Sequence, residues 1–145
     1  MSTRREEVMF SRILVPVDLG HLDRLEKVLH VAADLARHYR LPVVYVGVVG
    51  TVPDQIARTP GEFADKLKGF AEHQAETQGI EASAHALSSP DPQAELDRLL
   101  RKAVETLGAD LVVMASHSPS WLDWLLPSHG GSVAEHSEAS VFVVR

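Results

Sequence analysis

The chain opens on a polar run, MSTRREEVMF, and then turns apolar: Ser11-Arg-Ile-Leu-Val-Pro-Val17 ends at Asp18-Leu-Gly20. A run this short, β-branched and unbroken predicts a buried strand. Residues 1–9 read as a frayed tail and residues 10–145 as a single domain. Pro16 falls near the strand's end, where a missing donor costs least. Leu22, Leu25, Leu29, Ala32, Leu35, Ala36 and Tyr39 then recur at three- and four-residue steps, with Arg24, Lys27, Asp34 and Arg37 largely off that stripe. The spacing predicts one long amphipathic helix. Pro42-Val-Val-Tyr-Val-Gly-Val-Val49 is a second unbroken strand, and its continuity argues for helices on both sheet faces.

Residues 50–60, with Pro53 and Pro60, predict a loop. A helix follows over Gly61–Thr77, with Phe63, Leu67 and Phe70 inward and Gly79 as its stop. Its stripe is thin, so it is the helix expected to be exposed or mobile. Ile80, Ala82, Ala84 and Ala86 alternate with polar residues, which predicts a half-buried strand near a sheet edge. Ser88-Ser-Pro-Asp-Pro92 reads as a turn. Leu96, Leu99, Leu100, Ala103, Val104 and Leu107 mark a third helix, stopped by Gly108. Asp110-Leu-Val-Val-Met-Ala115 is a fourth strand, Ser132 to about Glu138 a short final helix, and Ala139-Ser-Val-Phe-Val-Val144 the last strand. Strands alternating with helices imply a mostly parallel sheet with right-handed crossovers. The fold class is α/β, a doubly wound domain of five strands. Such sheets bind ligands at the carboxyl ends of their strands, where strand order reverses. The loops to search are residues 18–21, 48–60, 88–92 and 116–131.

Composition narrows the chemistry. At 145 residues the chain can bury about two thirds of its unfolded surface without a metal or disulfide staple. It has no cysteine, which excludes a disulfide framework, a thiolate zinc site and a cysteine nucleophile. A net charge of −6 argues against a nucleic-acid partner, which wants a basic patch. No stretch approaches the roughly 20 apolar residues of a bilayer span, and the opening lacks the apolar core of a secretory signal. The expected compartment is the cytoplasm, with no membrane insertion.

Several residues could carry chemistry. Asp18 closes the first strand, where a carboxylate can accept from a nucleotide's amino or hydroxyl groups or cap the next helix. His129-Gly-Gly-Ser132 precedes a helix, and its successive amides can form an anion nest. Glu135 stands three residues beyond Ser132, so the same stretch also reads as a plain capping box. His117 follows the fourth strand, where an imidazole can stack, donate to phosphate or act as a base, although a lone loop histidine usually does none of these. Ser120-Trp-Leu-Asp-Trp-Leu-Leu-Pro127 holds both tryptophans. Trp121 and Trp124 either cover the crevice, face a partner, or fold back over the core. The chain contains no Gly-x-Ser-x-Gly, no phosphate-binding Gly-x-x-x-x-Gly-Lys-[Ser/Thr], no Gly-x-Gly-x-x-Gly after the first strand and no His-Glu-x-x-His. These absences favour binding over turnover, with no catalytic residue and no metal ligand assigned.

Three blocks together resemble the universal stress protein family: Arg12-Ile-Leu-Val-Pro-Val-Asp18, Gly108-Ala-Asp-Leu-Val-Val-Met-Ala-Ser-His117, and Gly131-Ser-Val-Ala-Glu-His136 with Ala139-Ser-Val-Phe-Val-Val144. The resemblance covers nearly the whole chain. It implies a parallel sheet of order 3-2-1-4-5, similar to adenine nucleotide alpha-hydrolase folds. It implies a homodimer through the last strand, at Val141, Phe142, Val143 and Val144, and a regulatory role in stress resistance. Many members bind ATP and others do not. The family's Gly-x-x-Gly, nine residues, Gly-[Ser/Thr] signature falls here on Ala115, Ser118, Gly131 and Ser132, and only the closing pair survives. Twelve residues separate Ser118 from Gly131, so the tryptophan-bearing loop is three longer. The nucleotide contacts implied by the resemblance are Asp18, Val48, Met114, Ala115, His117, Ser118, Gly130, Gly131, Ser132 and Val133. Between Ser116 and Val144 there is no lysine or arginine, and Asp123 adds a negative charge. ATP, with or without Mg²⁺, would therefore rest on backbone amides, and AMP fits this basic-poor loop better. The alternative is a nucleotide-independent interaction module that binds a protein partner through the tryptophan loop or the dimer surface. A slow ATP hydrolase is the weakest reading.

Overall fold

The computed structural model describes residues 9–116 and 139–145. Residues 1–8 of the expected tail and the short helix over residues 132–138 lie outside the described residues, and Met9, the last residue of that tail, is exposed. Five strands, β1 (Ile13–Pro16), β2 (Val43–Gly50), β3 (Ala82–Ser89), β4 (Leu111–Ala115) and β5 (Ser140–Val144), form one sheet of order β3-β2-β1-β4-β5. Every pairing is parallel. Between them, among the described residues, run a 3-10 segment (Leu19–Leu25) and three helices, α1 (Glu26–Tyr39), α2 (Pro60–Gln78) and α3 (Pro92–Thr106). The doubly wound α/β class and the order 3-2-1-4-5 expected from the sequence are what the chain adopts.

Successive side chains of a strand point to opposite faces, so an unbroken apolar strand supplies two cores. Ile13, Val15, Val43, Tyr45 and Val113 enter one core with residues of α1 and α2. Leu14, Val44, Val46, Val112 and Met114 enter the other with Leu100, Ala103 and Val104 of α3. The sheet therefore carries helices on both faces. Its start is tied down by Asp110, whose carboxylate accepts from the Ser11 N–H (2.9 Å), the Ser11 hydroxyl (3.1 Å) and the Arg12 N–H (3.2 Å).

Three elements differ from expectation. The stripe from Leu22 to Tyr39 is not one helix: a 3-10 segment with a non-helical His21 (φ −138°, ψ 44°) precedes α1. Asp18 causes this by capping the earlier turn. The thin-striped α2 is docked rather than peeled away, with Phe63, Leu67 and Ala71 buried. Gly47 of β2 is the reason, since a Cβ there would stand 2.8 Å from the tip of the Phe63 ring. The ring occupies the space that a strand side chain would fill. Finally, β3 continues through Ser89, which pairs with Gly50, where the Ser-Pro cluster suggested a turn. Asp91 then caps α3 through the Ala94 N–H, with Pro92 at the first helical turn.

Candidate functional site

Strand order reverses between β1 and β4, and the hydrogen-bond parity there defines a crevice. The Ile13 and Val17 N–H groups donate to the C=O groups of Pro42, just before β2, and Val46 of β2 (3.0 and 2.8 Å), so odd residues of β1 face β2. The Leu111 N–H donates to the Arg12 C=O (3.3 Å), so even residues of β1 face β4. Register between β1 and β4 covers only Ile13↔Leu111 and Leu14↔Val112, against four pairs between β1 and β2. The next donor due to β4 belongs to residue 16. Pro16 carries no N–H, so the Val113 C=O has no β1 donor and the ladder stops.

By the same parity, Ala115 turns its backbone groups toward the β1 side beyond that last rung. Val48 shares the parity of Val46, so its N–H and C=O also face the β1 side, past the Val17-to-Val46 bond. The carboxyl end of β1 is thus flanked by backbone of β2 and of β4 that faces the β1 side. Between them sits Asp18, whose side chain is 61% exposed. Its Oδ1 accepts from the Gly20 N–H (3.0 Å), and its Oδ2 accepts from the His21 Nδ1–H (2.8 Å). Each carboxylate oxygen has a second lone pair, so Asp18 can cap its turn and still accept from a ligand's hydroxyl or amino group.

The 51–59 loop forms the adjoining wall. Asp54 Oδ1 accepts from the Ile56 and Ala57 N–H groups (2.8 and 2.9 Å), closing a side-chain turn. The Lys66 ammonium donates to the Ile56 C=O. Ile56 lies against Gly20: a Cβ at Gly20 would be 3.8 Å from Ile56 Cδ1 and 3.3 Å from Asp18 Oδ1. At the neighbouring strand end, the buried Ser89 hydroxyl donates to Glu95 and accepts from the Asp91 N–H (3.0 Å). That hydroxyl, and then the Arg98 guanidinium, hold the Glu95 carboxyl below its ordinary value.

Of the residues singled out in the sequence, Asp18, Val48 and Ala115 come together at this crevice. Met114 is fully buried in the α3-side core. Its parity matches Ser116, whose N–H donates to the β5 residue Val144 (2.9 Å), so its backbone faces β5. His117, Ser118, Trp121, Trp124, Gly130, Gly131, Ser132 and Val133 lie outside the described residues. His85 is half-buried on β3, away from the crevice. Two residues escaped the sequence reading. His21 is paired to Asp18, and the signal was its three-residue spacing from a turn-capping aspartate. Ile56 left no periodic signal, because a loop residue belongs to no stripe. Among the described residues, no group of three or more histidine or carboxylate side chains could hold a metal ion. No helix among them is long and apolar enough to cross a membrane.

The sequence model of the Universal stress protein family matches residues 9–145. Universal stress protein G of Shigella flexneri is 27% identical over 146 residues, covering 94% of this chain and 100% of that protein. The structure of the universal stress protein from Archaeoglobus fulgidus in complex with dAMP is 21% identical, with a TM-score of 0.62 over 94% of this chain and 99% of that one. A universal stress protein in complex with cAMP is 17% identical, with a TM-score of 0.62 over 94% and 97% of the two chains. At these identities the two structures establish a shared fold.

Proposed function

The chain belongs to the universal stress protein family, and from that premise we propose that it is a regulatory stress protein of the cytoplasm that holds an adenine nucleoside monophosphate in the β1–β4 crevice. The observation that carries the reading is the ladder stopped at Pro16, which leaves the Asp18 carboxylate and the backbone of Val48 and Ala115 facing one opening. Asp18 accepts from the ribose hydroxyls. The Val48 N–H and C=O suit the adjacent acceptor and donor of an adenine edge. In the family pattern Gly131 and Ser132 serve the phosphate. Two relatives of this fold hold dAMP and cAMP.

A single phosphate is favoured over three because residues 116–144 contain no lysine or arginine to balance a triphosphate. Binding, rather than turnover, is the activity: nothing assigned to the crevice supplies the cationic clamp that phosphoryl transfer requires. Two copies pair through β5, an edge strand on which Phe142 is 45% exposed.

Calorimetric titration with AMP and with ATP, each with and without Mg²⁺, tests the nucleotide reading on protein shown by mass spectrometry to carry no nucleotide. AMP should bind more tightly than ATP, and Asp18→Ala should abolish the heat while the variant still folds, its melting temperature lowered only by the few degrees that loss of a turn cap costs. No heat and no thermal shift with either nucleotide at millimolar concentration overturns it.

A further inference from the structure

Away from the crevice, the least satisfied surface of the fold is the outer edge of β3. This strand ends the sheet and pairs with β2 over eight consecutive residues without a bulge. The Val43 N–H donates to the Glu81 C=O (2.8 Å), so odd residues of β3 face β2. The N–H and C=O groups of Ala82, Ala84, Ala86 and Ser88 therefore point outward along a straight edge. Native edges are usually blunted by proline, lysine, a bulge or shortness. This one is long and has none of the first three.

Beside the edge lies a cleft of about 430 Å³ between α2 and β3. Its floor is made of small side chains: Ala82, Ala84 and Ala86 from the strand and Ala64 and Ala71 from the helix. Alanine at alternate strand positions leaves room for larger side chains arriving from outside. The rim carries Asp65, Lys68 and Glu72, and none of the three takes part in an ion pair among the described residues. Helix α2 as a whole has Glu62, Asp65, Glu72 and Glu76 against Lys66 and Lys68, and the exposed Glu81 stands just before the strand. The chain's net charge is −6.

We propose that the β3 edge is a docking site for an extended, basic segment of another protein, which adds a sixth strand through main-chain hydrogen bonds. Its side chains of one parity face α2, the apolar ones entering the alanine cleft and the basic ones meeting Asp65 and Glu72 at its rim. Strand addition takes its affinity from the backbone ladder and its selectivity from alternate side-chain pockets. This role uses no residue of the nucleotide crevice, so it stands or falls separately from that reading.

The probe is a blocked eight-residue peptide, Val-Ser-Arg-Ser-Val-Ser-Arg-Ser, which as a strand puts Val and Arg on one face, and its acidic counterpart has Glu in place of each Arg. Amide exchange followed by NMR reads the contact. With the basic peptide, the amides of Ala82, Ala84, Ala86 and Ser88 should slow by about tenfold or more at saturation, while those of Ser83, His85 and Leu87 stay as they were. Ala84→Pro removes an outward N–H without breaking a β2 bond, so it should fold and lose the peptide. The double change Asp65→Lys with Glu72→Lys should reverse the preference toward the acidic peptide in an otherwise wild-type edge. Equal binding of both peptides, protection without the alternation, or no binding overturns the proposal. Self-association of the free protein that Ala84→Pro abolishes also overturns it, by giving the edge to a second copy.

Discussion

Tyr45→Phe should make the protein more stable. The Tyr45 side chain is fully buried in β2, and its hydroxyl has no hydrogen-bond partner among the described residues. A buried hydroxyl left unpaired costs about 1–3 kcal/mol. Removing one oxygen opens a void of roughly 10–15 Å³, worth only about 0.3 kcal/mol. The ring itself stays, with its edge-on contact to Phe70 at 5.2 Å and 80°. The net gain is about 0.7–2.7 kcal/mol, which for a chain of this length raises the melting temperature by roughly 2–10 °C. The same burial pushes the Tyr45 pKa from 10.0 up to about 12. A phenol whose folded pKa is raised is protonated in both states below pH 10. Above that the unfolded state loses its proton first, so the folded state loses stability as pH rises from 10 to 12. The loss amounts to about 2–3 kcal/mol. Urea denaturation of both proteins at pH 7, 10 and 11.5 isolates the effect as a difference. Tyr45→Phe should be the more stable at pH 7, and its advantage should widen at pH 11.5. A less stable variant at pH 7, with no widening, would refute the assignment of an unpaired hydroxyl and indicate a partner such as an ordered water.

Gly47→Ala should destabilise by about 1–3 kcal/mol, because the new Cβ overpacks a helix interface with nowhere to yield. Phe63 and Leu67 above it are 4% and 0% exposed, and denaturant midpoints read the loss. Pro16→Ala should restore a donor to the Val113 C=O and extend the β1–β4 ladder by a rung. The new amide at position 16 should exchange slowly, AMP affinity should fall, and stability should change by less than about 1 kcal/mol, since one hydrogen bond offsets the lost stiffness of proline. Fast exchange at that amide would contradict the parity that defines the crevice.

The strands were legible because β2 and β4 are short unbroken apolar runs rich in β-branched residues, the pattern of strands covered on both faces. Gly79 stops α2 at φ 65° as its position in the sequence suggested. The length of β3 was hidden, because Ser88 and Ser89 carry turn chemistry locally and are held extended by their register with Val49 and Gly50. The break before α1 was hidden for the opposite reason: an apolar stripe passes through a 3-10 turn without losing its spacing. The docking of α2 depended on a partner surface, Gly47, that no helix periodicity records. At the site, Asp18 was legible as a strand-end carboxylate. What Val48 and Ala115 offer the crevice in the proposed reading is backbone, set by strand parity, and side-chain identity carries little trace of it. His21 joined them only through the shape of the turn that Asp18 caps.

The most direct test of the crevice is an amide NMR titration of the wild-type protein with AMP. The amides of Val48 and Ala115, together with those of residues 18–20, should shift in a saturable manner with a single dissociation constant, while those of β3 and α2 remain unmoved. Saturable shifts that spare Val48 and Ala115 and gather elsewhere would contradict the account by moving the nucleotide away from the point where Pro16 opens the sheet.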